Sequence, residues 1–441
     1  MSQITADAAG AAADAPIPDH PALTEENINL ASGRVALLWK ALVAAGVVGI
    51  AASIVACVIV AQSHSVSSAI AHTKGALFVG VVAVLGPSLG ALFFLMINYV
   101  VNAGWMIAMK RVLEQVALLI WLPAIGVLLF VLSELVSAMS GGTGIVSTWL
   151  NDAITAEEYF ITKKKPYFNP FFVGARLVFY LVVWIGLARL LWGISRRLEA
   201  SGDRWLNNKA SFHSAWGLLV LALATAFFAF DWLMALTDYE FFSTMWGVYF
   251  FAGAFFVTFP AMALLLTFLR SKGTLVGLVT EEHHHDLSKF MFGFVVFWAY
   301  IAYSQYFLIW YSAIPEETVW YIHRKQEWPV LTAFLVIGHF IVPFFPLLWR
   351  VFRRNTILYC GIGGWLVLMH VLDIYWIIRP ALTIAREDPV GFAPGLLVDI
   401  PAIAGVVLLY TGVLVWRLTK APLLNVREPR LPETLVHKNY V

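Results

Sequence analysis

The chain has 441 residues, of which 60% are hydrophobic and only 13% charged, with a formal net charge of +2. That balance excludes an ordinary soluble domain, and the near-neutral charge offers nucleic acid no electrostatic footing. The two cysteines, Cys57 and Cys360, both sit in apolar runs, and no CxxCH string occurs. A disulfide framework, an iron–sulfur cluster and a covalent haem are therefore excluded.

The first 33 residues carry Asp7, Asp14, Asp19, Glu25 and Glu26 and no Lys or Arg. They lack the basic flank and apolar core of a cleavable signal, and their composition predicts a mobile acidic arm. Ten apolar runs follow, near 35–60, 76–100, 116–137, 171–191, 214–237, 245–269, 290–312, 329–349, 357–377 and 396–416. Each holds roughly 20 residues, enough at about 1.5 Å per residue to cross a hydrocarbon core of about 30 Å. The expected fold is an all-α polytopic membrane protein.

An even number of spans puts both termini on one side. The connections on that side hold Lys110, Arg111, Arg196, Arg197, Arg204, Lys209, Arg270, Lys272, Arg350, Arg353 and Arg354, and the tail after 417 adds more. The other side has far fewer: Lys74, the lysines at 163 to 165, Arg324, Lys325, Arg379 and Arg386. The positive-inside rule therefore makes both termini cytoplasmic. The outer connections 138–170 and 378–395 are long enough to carry function or dock partners. The stretch 193–210, charged and Trp-bearing, reads as a segment lying along the inner surface. In the second span, Gly86-Pro87-Ser88-Leu89-Gly90 permits a close helix crossing and a kink. Pro123, Pro260, Pro343 and Pro346 free further carbonyls within spans.

Ionisable groups at membrane depth cost on the order of 2.5–3.5 kcal/mol on insertion scales, so each is a functional candidate. Arg176 and Asp231 stand at similar depth in adjacent antiparallel spans, either as a structural ion pair or as a second polar site; Arg189 snorkels. His370 and Asp373 are three residues apart on one helix face, where the carboxylate can orient the imidazole for proton transfer. His339, near the middle of the eighth span, is a relay, a core histidine or, together with His370, the ligand pair of a single b-type haem. Tyr300, Tyr303, Ser304 and Tyr311 line one face of the seventh span and suit a water file, a quinone ring or plain aromatic packing. In the string EEHHHD, three adjacent histidines cannot converge on one ion without strain. There Asp286 reads as the cap of the seventh span, and His283 to His285 stand at a proton entrance. Pro315, Glu316 and Glu317 mark a helix start.

The strings FDWLMALTDYEFFSTMWGVYFFAG at 230–253 and HDLSKFMFGFVVFWAYIAYSQYFLIWYSAIPEETVWY at 285–321 resemble the F subunit of bacterial alternative complex III, within the NrfD/polysulfide-reductase-type membrane family. The match is strongest from His213 to Pro380. The resemblance implies two four-helix bundles, spans two to five (76–244) and six to nine (245–380). A first span and loop (34–75), a last span (381–416), the arm (1–33) and a tail (417–441) flank them. It also implies a respiratory-chain complex that oxidises quinol and passes electrons towards cytochrome c or a terminal oxidase. The partners would be a paralogous C-type membrane subunit, an iron–sulfur subunit, multihaem cytochrome c subunits and lipids. Iron–sulfur clusters and haem c would sit on those partners, and this chain would bind no metal and perform no catalysis alone. Its expected part is scaffold, quinone contact and a proton route through His285, Asp286, Tyr300, Tyr303, Ser304, His339, His370 and Asp373. A secondary transporter built on broken midplane helices and a purely structural membrane anchor remain the competing readings.

Overall fold

The computed structural model describes residues 20–139, 164–236, 241–384 and 389–438. Among them no strand occurs, and ten helical segments are long and apolar enough to cross a membrane. The protein is an all-α polytopic membrane protein. The first 19 residues of the expected arm, Gly141, Gly142, Gly144 and Lys163 in the long connection, and Arg386 lie outside the described residues.

Apart from the short helices Glu25–Ile28, Arg350–Arg354 and Ala381–Ile384, the helices in chain order are α1 (Ser32–Val60), α2 (Val66–Val100), α3 (Ile107–Leu118), α4 (Trp121–Met139), α5 (Pro170–Ser201), α6 (Trp205–Ala229), α7 (Trp246–Ser271) and α8 (Glu281–Ser312). They continue with α9 (Pro315–Glu327), α10 (Pro329–Val336), α11 (Val342–Leu348), α12 (Thr356–Ile378), α13 (Phe392–Leu418) and α14 (Leu431–Leu435). Together α3 and α4 make the third span. A π turn, Phe230–Met234, extends α6, and a second, Ile337–Ile341, joins α10 to α11.

Buried along almost its whole length, α2 is the axis, packing against α1, α3, α4, α6, α7, α12 and α13. Small residues make this approach feasible. A Cβ on Gly90 would stand 2.1 Å from Thr258 Oγ1 and 2.5 Å from the Ala254 carbonyl oxygen, and one on Gly86 would meet the His370 ring at 2.7 Å. The Gly86–Gly90 motif is thus a packing device for α7 and α12. The helices of spans two to five contact one another around α2, those of spans six to nine gather around α7 and α12, and α1 pairs with α13 at the flank.

Glycines also set that flanking pair. A Cβ on Gly405 would fall 2.7 Å from the Ile50 amide nitrogen, and one on Gly46 would fall 2.6 Å from that of Leu409.

Two expectations change here. The 193–210 stretch does not lie along a surface: α5 runs to Ser201, Gly202 turns the chain at φ 71°, and α6 starts at Trp205. Its charges therefore ride on two helix ends that project past the apolar girdle. The arm is also ordered from residue 20 onward. Asn27 accepts from the Val276 amide and donates to the Val276 and Ala22 carbonyls, while Leu30 is buried. The Leu423 amide donates to the Ile28 carbonyl at 2.7 Å, so the two terminal segments share one face of the bundle, called here the terminal face.

Backbone atoms cannot yield as a flexible side chain can, so Gly405→Ala should destabilise the protein by roughly 1–3 kcal/mol. Gly361→Ala, with nothing within 4 Å of its added carbon, should be neutral or stabilising. Unfolding midpoints in mixed detergent, followed by circular dichroism, measure both.

Candidate functional site

Asp231 sits in the π turn that ends the fifth span, where the extra backbone residue rotates its carboxylate inward. Arg176 grips it with Nε to Oδ2 at 2.8 Å and Nη2 to Oδ1 at 3.2 Å, the Tyr180 hydroxyl donates to Oδ2 at 2.6 Å, and Arg176 Nη1 donates to the Tyr167 carbonyl. The Tyr167 ring lies 3.7 Å from the guanidinium carbon. Both carboxylate oxygens and all three guanidinium nitrogens are engaged in this bidentate, charge-assisted geometry, which clamps α5 to the end of α6.

His370 and Asp373 share a face of α12 but not a hydrogen bond. Asp373 takes a short hydrogen bond from the Tyr249 hydroxyl of α7. His370 turns instead to α2, where Pro87 cannot donate to the Ala83 carbonyl, and it faces that carbonyl without completing a hydrogen bond through either ring nitrogen. The expected orientation of the imidazole by Asp373 is therefore corrected: Gly86 and Gly253 open space on the α2 and α7 side, and the ring fills it.

His339, fully buried in the second π turn, lies tilted 3.6 Å from the Trp298 ring centroid and edge-on 3.9 Å from that of Phe256, with neither nitrogen hydrogen-bonded among the described residues.

Tyr300, Tyr303 and Tyr311 are 63%, 65% and 76% exposed, with Ser304 half-buried beside them. They do line one face of α8, but it is the outward one. The inward face offers Trp298 and Gln305. Gln305 accepts from the Ser243 hydroxyl at 3.2 Å and donates to the Tyr321 hydroxyl at 3.1 Å.

On the terminal face Asp286 does not cap α8. Thr280 does, in a capping box with His283. His283 Nδ1 accepts from the Thr280 amide and Nε2 meets Thr434 Oγ1 at 2.9 Å. Thr434 already donates to the Trp105 carbonyl, so the network assigns the proton to Nε2. Asp286 accepts from His437 Nε2 at 2.7 Å and Lys289 at 3.0 Å, tying down the C-terminal tail. His284 packs on the Tyr359 ring, and His285 is buried without a hydrogen-bond partner. Among the described residues no three His, Cys, Asp or Glu side chains converge as a metal site would require.

Three further groups matter on the face opposite the termini. Arg324 of α9 is fully buried and meets no carboxylate among the described residues: it donates to the Trp320, Trp376 and Ile377 carbonyls and stacks 3.3 Å from the Trp320 ring centroid. Burial drives its guanidinium well below its ordinary pKa, against the pull of Tyr321 and Tyr249. Burial also pushes the Tyr321 phenol up to about 12, opposed by its Gln305 hydrogen bond and the Arg324 charge. Asp399 holds His72 at 2.8 Å, the Tyr375 hydroxyl at 2.8 Å and Arg379 at 3.4 Å. Lys74 pairs with Glu134. The depth criterion that selects Asp231 and Asp373 applies equally to Glu134 and Asp399, each inside an apolar run. Arg324 carries no such signal because it lies in a polar connection.

No protein-family model matches the chain, and no curated protein matches it.

Removing one partner of a buried ion pair strands the other's charge. Arg176→Met or Asp231→Asn alone should destabilise by roughly 3–5 kcal/mol. The double variant should lose less than the sum, with a coupling of about 1 kcal/mol or more in a thermodynamic cycle of detergent unfolding.

Proposed function

We propose that the chain is an integral subunit of a quinol-oxidising electron-transfer complex of the alternative complex III type, and that its part is a proton route. The observation that carries this reading is Asp373: a fully buried carboxyl that accepts a hydrogen bond from a phenol, with no cation on it among the described residues. A carboxyl so placed is held more cheaply neutral than charged, and it can exchange a proton with Tyr249. Towards the terminal face stands His339. Towards the other face lies the hydrogen-bonded series of Tyr321, Gln305 and Ser243.

The proposed entrance is Asp286, with His437 and buried His285 beside it. From Asp286 to Trp298 is about 18 Å along α8 at about 1.5 Å per residue, and stacked Phe259, Phe290 and Phe294 occupy that stretch. A proton crosses such a stretch only on water. Tyr300, Tyr303 and Ser304 leave the route because they face outward. In this reading electrons stay on iron–sulfur and haem-c partners, a paralogous membrane subunit and a terminal oxidase complete the assembly, and both termini are cytoplasmic in a bacterial inner membrane.

Asp373→Asn keeps the volume and removes the exchangeable acid. The variant complex should assemble with its iron–sulfur and multihaem partners and keep uncoupled quinol oxidation, while losing most proton translocation in vesicles. Tyr303→Phe should change neither. An unaltered proton-to-electron ratio in assembled Asp373→Asn complex would return this cluster to packing. Orientation is read separately, with an impermeant thiol reagent on intact cells: Gln62→Cys should label and Glu26→Cys should not.

A further inference from the structure

α12 and α13 each pack on α2 without packing substantially on each other. Between them lies a cleft of about 330 Å³, within the range of small-ligand sites. Ala83, Val84 and Pro87 of α2 form its floor, α7 and α12 one wall, and α1 and α13 the other. On those walls Ala261, Leu264 and Val407 are half-buried and Leu38 is exposed, so the cleft opens on the membrane-facing girdle.

The cleft offers an occupant almost nothing but carbon. The Tyr410 hydroxyl is engaged with Ser88 at 2.8 Å, and the Thr411 hydroxyl donates to the Val407 carbonyl. The His370 nitrogens are turned to Gly86 and Gly253, away from the open volume. From Val257 to Phe268 of α7 the lining covers about 16 Å at about 1.5 Å per residue. That is the depth of one leaflet, half of a hydrocarbon core of about 30 Å. The lining ends at Leu38, Phe268 and Val415, each within about two turns of the terminal-face end of its helix. The space therefore runs from the middle of the bilayer to the interface on the terminal face.

At that interface the mouth is basic. Lys272 Nζ lies 5.6 Å from the ring centroid of Phe268, itself part of the lining. Arg34 donates to the Lys272 carbonyl at 3.1 Å, and Arg417 donates to Gln115, the neighbour of lining Val116. Lys420 follows at the end of α13, 5.2 Å from the Trp416 ring centroid. The ion pairs of the terminal face join other residues, such as Lys110 with Glu428, Arg354 with Glu282 and Arg430 with Glu433. Among the described residues no carboxylate pairs with Arg34, Lys272, Arg417 or Lys420.

A free anion has no use for the cleft, and an uncharged apolar compound has none for the cations. A molecule with an anionic head at the interface and a chain one leaflet long uses both. We propose that the cleft binds an anionic phospholipid, one acyl chain lying between α7 and α13 down to Pro87 and the phosphate among Arg34, Lys272 and Arg417. Seated there, the lipid joins the flanking α1 and α13 pair to α12 across a gap that the protein leaves open. The site is independent of the quinol-oxidising reading and goes beyond it.

The test uses the purified full chain, delipidated in detergent and titrated with palmitoyl-oleoyl-phosphatidylglycerol or the matching phosphatidylcholine, with adducts counted by native mass spectrometry. One phosphatidylglycerol per chain is expected, held at least tenfold more tightly than phosphatidylcholine. Arg34→Gln and Lys272→Gln should each weaken it about fivefold, equivalent to about 1 kcal/mol per cation. Ala261→Phe, which fills one wall, should weaken it at least tenfold, while Arg354→Gln, whose cation is paired with Glu282, should change nothing. Excess glycerophosphate, a head without a chain, should not displace the lipid. Each variant is first checked for an unaltered unfolding midpoint; if Ala261→Phe fails, Val407→Phe on the facing wall replaces it, and if both fail the cation variants decide. Equal retention of the two lipids, adducts that accumulate without a saturating step, indifference to the wall variant or to both cation variants, displacement by glycerophosphate, or dimerisation of the chain in place of a lipid adduct overturns the assignment.

Discussion

Helices in hydrocarbon gain nothing by hiding apolar surface from one another, so they associate where their backbones can come close. α2 is where this chain meets that requirement. Gly86 and Gly90 let α7 and α12 approach until a single methyl group would collide with carbonyl, hydroxyl or imidazole atoms. Because one helix serves both bundles, the same glycines fix the distance between the two halves and the position of every polar group carried on α7 and α12. The Gly46, Gly49, Gly405 and Gly412 seam applies the same rule to α1 and α13; Cβ atoms on the first three would meet backbone, and one on Gly412 both the backbone and the side chain of Val43.

Against that scaffold the buried polar groups divide by how completely they are satisfied. Arg176–Asp231 is a closed network in which opposite charges meet; in His72–Asp399–Arg379 the charges also meet, but Arg379 Nη1 and His72 Nδ1 are left over. Arg324 achieves the same end by another route. Its guanidinium caps the carbonyls at the end of α12, where the helix dipole favours positive charge. His339, His370 and Asp373 are different, because two imidazoles lack partners and the carboxyl leans on one phenol. In a low-dielectric interior an unsatisfied group is expensive.

The terminal face is closed by chain rather than left as loops. Residues 20–31 and 419–438 pair through Ile28 and Leu423, Glu428 bridges Lys110 and Asn207, and His437 reaches Asp286. The entrance nominated for protons therefore lies beneath an ordered tail. Asp286, which sequence spacing makes a helix cap, is held by residues 151 positions away in the chain.

The sequence by itself determined the fold class and the spans, since hydropathy and helix length act locally and a bilayer allows few alternatives. It also determined that Arg176 and Asp231 would stand together, because adjacent antiparallel helices place equal depths side by side. It identified Gly86–Gly90 as a packing surface from small-residue spacing alone. Only the tertiary structure decided which way a helix face points. Tyr300 and Tyr303 have the same period whether they look into the bundle or out of it, and α8 turned them out. Likewise, the three-residue spacing of His370 and Asp373 fixed a shared face but not the rotation of either side chain; space beside Gly86 took one and the Tyr249 hydroxyl the other. Partners that come from distant spans, as Asp399 does for His72 or the α12 carbonyls for Arg324, leave no local trace, because the contact depends on how helices pack and not on what surrounds each residue in the chain.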